Sequence, residues 1–380
     1  MKGCSMLELY IHIPFCIRKC NYCDFLSFPE TESGIAQYCH ALKEEIKRTG
    51  DQAEGIGVRS VFIGGGTPSI LEAEQITEIM TCIRNNFSIE KNAEITIESN
   101  PGTLNAEKLN CYHELGINRL SIGLQSTDDD CLRRLGRIHT FQEFEKNYEQ
   151  ARKSGFQNIN IDLMSGLPGQ SLRGYEDTLN RVTELKPEHI SSYSLIIEEG
   201  TPFYKSDSVL QQLPDEDTER KMYERTKEIL AQQGYDRYEI SNYARQGREC
   251  IHNLGYWEQV PYLGMGLGAS SFYNGARFSN ERNFRKYLST PYLPFEHRED
   301  YVQVSREEQM EDTMIFGLRK MKGISVSEFE REFGTPIWEM YGSVIERYSN
   351  LGLLIQEGDV LRLTDAGIDV SNRIFEDFIL

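Results

Sequence analysis

Six short β-rich runs alternating with amphipathic helical segments predict an α/β protein with a parallel sheet. Polar residues collect at the ends of those runs, which predicts a partial (β/α)6 barrel with one shared mouth rather than an open sheet. A later group of helices followed by a hairpin predicts a small C-terminal winged-helix-like α+β domain.

The first run, Leu9–Ile13, enters a loop carrying Cys16, Cys20 and Cys23 in the spacing C-x3-C-x2-C. Thiolates are soft metal ligands, and three in one loop can hold three irons of a cubic [4Fe-4S] cluster, leaving the fourth iron open. A closed zinc site is the alternative, with a fourth ligand from His12, Cys4 or Cys39, although none of these lies in a second CxxC or HxxxH arm.

Val58–Ile63 is the second run and ends at Gly64, Gly65, Gly66, Thr67 and Pro68. This matches neither a Walker loop nor G-x-G-x-x-G. Either Thr67 or Ser69 caps the next helix in a tight turn, or the missing Cβ atoms let backbone approach a ligand. Glu94–Ser99 carries Glu98 with Asn100 just beyond it, Arg119–Leu124 ends at Gln125, and Asn158–Met164 carries Asp162. Such carboxylates need partners: Arg119 or Arg137, or the hydroxyl and cationic groups of a cofactor. His189–Ile197 is the sixth run. The intervening helices are expected at Ile35–Thr49, Ala73–Asn86, Ala106–Leu115, Phe141–Ser154 and Leu172–Leu185.

Beyond it the sequence predicts a charged helix, Asp215–Gln233, and a seventh strand, Tyr235–Ile240. The segment CIHNLGYW (250–257) reads as turn-like, with His252 either a hydrogen-bonded bystander or an axial ligand to a large ring flanked by Tyr256 and Trp257. Helices at Arg306–Met321, Val326–Phe333 and Trp338–Asn350, a hairpin over Leu353–Leu363 and a closing helix, Thr364–Ile379, complete the chain. The expected divisions are 1–240 for the barrel, 241–300 for an extension and 301–380 for the last domain.

Among 380 residues the formal net charge is −18. That field repels phosphate backbones, and Arg133, Arg134 and Arg137 are too few to make a basic face, so no nucleic-acid partner is expected. The second helix of the winged-helix-like part, SVSEFEREFG, is acidic, which argues for packing rather than DNA binding. Nine cysteines without a paired framework suit a reducing compartment. The N-terminus lacks the apolar core of a signal peptide, and no run is long enough to span a bilayer. A cytoplasmic protein is expected, peripheral at a membrane only through partners.

YIHIPFCIRKCNYC resembles the radical S-adenosylmethionine (SAM) superfamily, and GGGTPS, ITIESNP, RLSIGLQS, LGRIHT, NIDLMSGLP and LGMGLGASS resemble its HemN branch. The resemblance implies that Cys16, Cys20 and Cys23 hold a [4Fe-4S] cluster and that SAM chelates the open iron, where its reductive cleavage gives a 5′-deoxyadenosyl radical. It implies that Tyr10, Tyr22, Gly65, Gly66, Thr67 and Glu98 surround SAM. Gln125, Arg137 and Asp162 extend the same cavity, with Ile196 at its edge. Two features depart from the coproporphyrinogen III dehydrogenase pattern: Phe25 stands where a fourth cysteine would be, and the long N-terminal extension is missing. HNLGYW is similar to the HNxxYW signature of the HemW group of heme chaperones, which implies His252 as a heme ligand. The implied partners are heme and apo-hemoproteins such as respiratory enzymes at the membrane. The protein is expected as a monomer or a dimer formed on ligand binding. The competing expectation is radical oxidative decarboxylation of two propionates of coproporphyrinogen III.

Overall fold

The structure, a computed structural model, describes residues 6–53, 55–290 and 292–380; Cys4, one of the candidate zinc ligands, lies outside the described residues. Six strands run parallel and in sequence order: β1 (Met6–Ile13), β2 (Gly57–Gly65), β3 (Ser88–Ser99), β4 (Arg119–Gln125), β5 (Ile159–Ser165) and β6 (His189–Ser194). No strand order is reversed among them, so their C-terminal ends share one mouth in a partial (β/α)6 barrel.

The crossovers are α1 (Glu32–Gln52), α2 (Ala73–Asn86), α3 (Ala106–Glu114), then α4 (Asp129–Leu135) with α5 (Phe141–Lys153), and α6 (Leu172–Glu184). Helix α4 is not among the helices expected from the sequence, although its signals are present there. Asp128 accepts from the N–H groups of Asp130 and Cys131, Arg133 and Arg134 fill the last turn, and Gly136 ends it with φ of 80°.

Period-two alternation gives the parallel strands two different faces. Leu9, Ile11, Val61, Ile63, Ile95, Ile97, Leu120, Ile122, Ile159 and Ile161 belong to the main hydrophobic core, with Leu42, Ile79, Leu109 and Leu179 from the helices. The alternate positions carry Glu8, Tyr10, Ser60, Glu94, Glu98, Arg119, Asp162 and His189, so the other face of the sheet is polar along much of its length. A purely structural parallel sheet would be apolar on both sides. The polar face is where function has to be sought.

After α7 (Asp207–Leu210) and α8 (Glu216–Gln232) comes a hairpin of β7 (Asp236–Arg237) and β8 (Asn242–Ala244), with β8 antiparallel to β6. The expected seventh strand is thus only two residues long. The Glu239 carboxylate accepts from Ser241 N–H at 2.8 Å and Asn242 Nδ2 at 2.6 Å, which closes a turn instead of extending the strand. CIHNLGYW is also corrected: Ile251–Trp257 is a helix, α9, not a turn.

Next, β9 (Tyr262–Met265) pairs parallel to β1, followed by β10 (Ser270–Tyr273), β11 (Ala276–Ser279), α10 (Phe284–Ser289) and the edge strand β12 (Glu299–Gln303). These extend the sheet to twelve strands.

A second hydrophobic cluster holds the C-terminal segment together, around Met314, Phe329, Ile337, Tyr341, Leu361 and Ile374. It is built from α11 (Arg306–Gly317), α12 (Val326–Phe333) and α13 (Ile337–Asn350) on a three-stranded antiparallel sheet of β13 (Ile324–Ser325), β14 (Leu354–Glu357) and β15 (Val360–Leu363). The closing helix is two, α14 (Asp365–Asp369) and α15 (Ser371–Glu376), because Val370 leaves helical geometry at φ −118°, ψ 21°. Lys227 and Arg237 both pair with Asp365, and Met321 N–H bonds Tyr238 O at 3.0 Å, tying this segment to the barrel. Among the described residues no helix is long and apolar enough to cross a membrane.

Candidate functional site: a cysteine loop at the mouth and a helix below it

Cys16, Cys20 and Cys23 lie on the loop after β1, each half-buried and none in a disulfide. Arg137 Nη1 stands 3.7 Å from Cys20 Sγ, and Thr67 Oγ1 lies 3.5 Å from Cys16 Sγ. Hydrogen bonds to ligand sulfurs of this kind tune iron–sulfur clusters.

Both described candidates for a fourth zinc ligand are committed elsewhere. His12 Nε2 donates to Leu26 O at 3.0 Å, which leaves Nδ1 to accept from Tyr10 OH at 3.0 Å. Cys39 is buried in the main core. Among the described residues no three His, Cys, Asp or Glu side chains gather closely enough for one metal ion. A cubic cluster binds each thiolate through a different iron, so its ligands stand farther apart than those of a single zinc. Three free thiols with hydrogen-bond donors at two sulfurs form a donor set that fits such a cluster.

The glycines behind the loop are there for space. Gly65 has φ of +112°, and a Cβ there would fall 2.5 Å from the His12 ring; a Cβ on Gly66 would meet Phe15 O at 2.5 Å. Neither Thr67 nor Ser69 caps the short 3₁₀ turn Pro68–Ile70 through its side chain. Thr67 Oγ1 instead accepts from Asn100 Nδ2 at 2.8 Å, and Asn100 Oδ1 accepts from Arg137 Nη2 at 2.5 Å. Arg137 also donates to Gly123 O. One asparagine therefore links the glycine turn, the arginine and the cysteine loop. In the sequence Asn100 is distinguished only as a polar residue at a strand end.

Glu98 accepts from Gly65 N–H at 3.0 Å, and burial together with nearby Asp162 pushes its pKa up to about 7. Asp162 is raised mainly by burial, against bonds from Asn160 Nδ2 at 2.7 Å and Ser121 Oγ at 3.2 Å. Neither carboxylate forms a direct ion pair with Arg119 or Arg137, which corrects the structural alternative. Arg119 lies buried among them with Nε unpartnered. Gln125 ends β4 with φ of 72°, where its pairing with β5 shifts register. A left-handed glutamine at a strand end is an uncommon conformation that turns the chain at the mouth. Tyr22 packs beside Leu135 and Phe203 under the loop.

His252 is not at the mouth. It sits beside Ser60, five positions before Gly65 on β2, so roughly 16 Å deeper along the strand direction. Its ring is 1% exposed, with Nδ1 2.8 Å from Ser60 Oγ and Nε2 3.0 Å from Tyr256 OH, and it stacks on Phe62 at 5.1 Å. Burial, with Arg59 and Arg119 nearby, lowers its pKa to about 3, so the imidazole is neutral. Glu94 anchors α9 by accepting from the N–H groups of Ile251 and His252, both at 3.2 Å. Glu8 lies 3.8 Å from His252 and accepts from Arg59 Nε at 2.8 Å. A Cβ on Gly255 would fall 2.1 Å from the Glu8 carboxylate, which explains the glycine within HNLGYW.

The flank of α9 that carries Asn253, Tyr256 and Trp257 opens on a cavity of about 850 Å³, with Tyr256 standing between it and His252. These three residues line it together with Tyr193 and Ile196 from the β6 end, Tyr223 from α8, and Arg319, Ile368 and Asp369 from the C-terminal segment. The site residues thus fall into two groups. The cysteines, Tyr10, Tyr22, Gly65, Gly66, Thr67, Glu98, Gln125, Arg137 and Asp162 belong to the mouth, and His252 belongs to a deeper site that borders a separate cavity.

A Radical SAM superfamily model matches residues 10–182 and a HemN C-terminal domain model matches 304–370. The chain is 37% identical to the heme chaperone HemW of Lactococcus lactis, covering 98% of this chain and 97% of that one. It is 37% identical to the heme chaperone HemW of Bacillus subtilis, over 98% and 99%. Among solved structures, the radical SAM enzyme coproporphyrinogen III oxidase (HemN) of Escherichia coli matches with a TM-score of 0.86 at 25% identity, covering 99% of this chain and 90% of that one. The chain belongs to the HemW family of the radical SAM superfamily.

Proposed function

We propose that this chain binds heme beside α9 and passes it to apo-hemoproteins, while the cysteine loop holds a [4Fe-4S] cluster with SAM. The observation that carries the reading is the placement of HNLGYW. Its histidine is held neutral, and its Asn253, Tyr256 and Trp257 line a cavity of about 850 Å³. That volume and its aromatic walls suit a drug-sized or larger flat ligand. A neutral imidazole is the form that ligates iron. Ligation through Nε2 requires the Tyr256 hydroxyl to move off it, so loading is coupled to a side-chain rearrangement. The names of the full-length relatives support the same reading.

At the mouth, Cys16, Cys20 and Cys23 would hold three irons. The Gly65–Gly66 backbone, Thr67, Glu98, Tyr10, Tyr22, Gln125, Arg137 and Asp162 would surround SAM. When bound, cluster and SAM supply one-electron chemistry. Arg137 donates toward the Cys20 sulfur and fixes Asn100, and the glycines keep the approach to the cluster free of side chains. Glu98 and Asp162 offer acceptors for ribose hydroxyls or an amine, and negative charge toward a sulfonium.

The alternative, a coproporphyrinogen III dehydrogenase, draws on the full-length likeness to HemN. Anaerobically reconstituted protein with reductant, SAM and coproporphyrinogen III separates the two. The chaperone reading expects no protoporphyrinogen and a stable Soret band on adding heme. Turnover at enzymatic rates without heme binding would replace it by the dehydrogenase.

A further inference from the structure

We infer that Arg319 is the anchor for a carboxylate of the bound macrocycle in the α9 cavity, laid against Trp257 so that ring and acid are recognised together. The inference rests on the heme reading and adds to it an anionic subsite supplied by the C-terminal segment.

Arg319 follows α11 and lines the cavity. Its guanidinium lies over the Trp257 ring, 4.4 Å from the centroid. Among the described residues it makes no side-chain hydrogen bond and no ion pair, and its Nε is buried without a partner. The indole Nε1 of Trp257 is also buried and unpartnered. A buried donor left without an acceptor is costly, so a half-buried guanidinium whose Nε has none marks a place for one.

The nearest acid does not fill that role. Glu239 is the carboxylate whose charge reaches Arg319, but its Oε1 is taken by Ser241 N–H and Asn242 Nδ2 within its own turn. The other acids of the lining, Glu216, Glu219 and Asp369, stand on α8 and α14. The remaining cation, Arg220, is exposed on α8. Arg319 is thus the half-buried positive charge of the cavity, and its planar fork matches a carboxylate in two-point geometry.

The position also suits the ligand's shape. Trp257 and Tyr256 are neighbours on α9, and Tyr256 touches His252. A tetrapyrrole held in this cavity would lie along the wall of Tyr256 and Trp257, where Arg319 on the Trp257 ring would meet a propionate at its edge. The segment carrying Arg319 is joined to the barrel by an isolated antiparallel β-bridge between the backbones of Glu239 and Lys320 and by Met321 N–H on Tyr238 O at 3.0 Å. The anchor would therefore come from a part of the chain able to sense whether the cavity is filled.

The test is a two-by-two titration followed by absorption: wild type and Arg319→Gln, each with hemin and with hemin dimethyl ester, whose propionates cannot carry charge. Hemin affinity should fall on the order of ten- to a hundredfold in the variant, with the ester bound equally by both proteins. Equal hemin affinity in wild type and variant overturns the proposal, as does an equal loss for both ligands, which would make Arg319 structural. Arg319→Lys, which keeps the charge and loses the fork, should recover part of the difference. Should Arg319→Gln fail to fold, the wild type alone decides: hemin must bind at least tenfold tighter than its ester, and parity refutes the anchor. Failure of wild type to bind either form would instead sink the heme reading beneath it.

Discussion

Cys16, Cys20 and Cys23 stand half-buried on a loop with donors at two of the sulfurs, whereas His252 is 1% exposed, with hydrogen-bond partners at both ring nitrogens. Both sets of candidate ligands belong to one barrel, yet the thiols stand half-buried at the mouth and the histidine is closed in by its own partners. The difference follows from where each group lies. Loop thiols at strand ends need only neighbouring donors, while a histidine in the barrel interior must satisfy both nitrogens until something better arrives. A site that stays closed until loaded suits a carrier, which has to release its cargo as well as bind it. A site built at a strand mouth suits a resident cofactor.

The strongest way to break this contrast is at the cysteines. Cys20→Ser should abolish iron incorporation on anaerobic reconstitution, read as iron content and visible absorbance; full iron retention would refute the cluster assignment.

Gly65→Ala is a smaller but sharper perturbation, because the new Cβ would fall 2.5 Å from a His12 ring that is hydrogen-bonded at both nitrogens. With φ at +112° as well, it should cost about 3 kcal/mol in urea unfolding and impair cluster and SAM binding. Heme binding at α9 should survive it. Gly255→Ala should do the reverse, since it pushes α9 off Glu8.

The smallest effect is on pH dependence. Burial raises Glu8 to about 8 and Glu98 to about 7, from 4.5. The folded chain therefore holds protons that the unfolded chain has released. This contribution is complete below about pH 4.5 and is lost as pH rises through about 7 to 8. The apoprotein should thus be less stable at about pH 8.5 than at about pH 6, on the order of 2 kcal/mol from Glu8. Glu8→Gln should flatten that slope; an unchanged slope would place the effect elsewhere.

Much of this was legible in the residues. Period-two runs and strand-end polar residues announced the parallel sheet and its mouth, and C-x3-C-x2-C announced the loop. Less legible was everything that depends on pairing across the barrel. Asn100 reads as one more strand-end amide until it is seen bridging Thr67 and Arg137. CIHNLGYW looked turn-like because Asn and Gly interrupt it, yet Glu94, distant in sequence, caps its first N–H groups and makes it a helix. The tie of Asp365 to Lys227 and Arg237 likewise has no local signature, so the cavity between barrel and C-terminal segment could not be foreseen.

The most direct measurement is a crossed reconstitution, following Soret absorbance and iron–sulfur content together in wild type, Cys20→Ser and His252→Ala. Two separate sites require that Cys20→Ser lose the cluster while still binding heme, and that His252→Ala keep the cluster while its heme spectrum weakens or shifts. Loss of both signals in Cys20→Ser, or an unaltered heme spectrum in His252→Ala, would contradict the account.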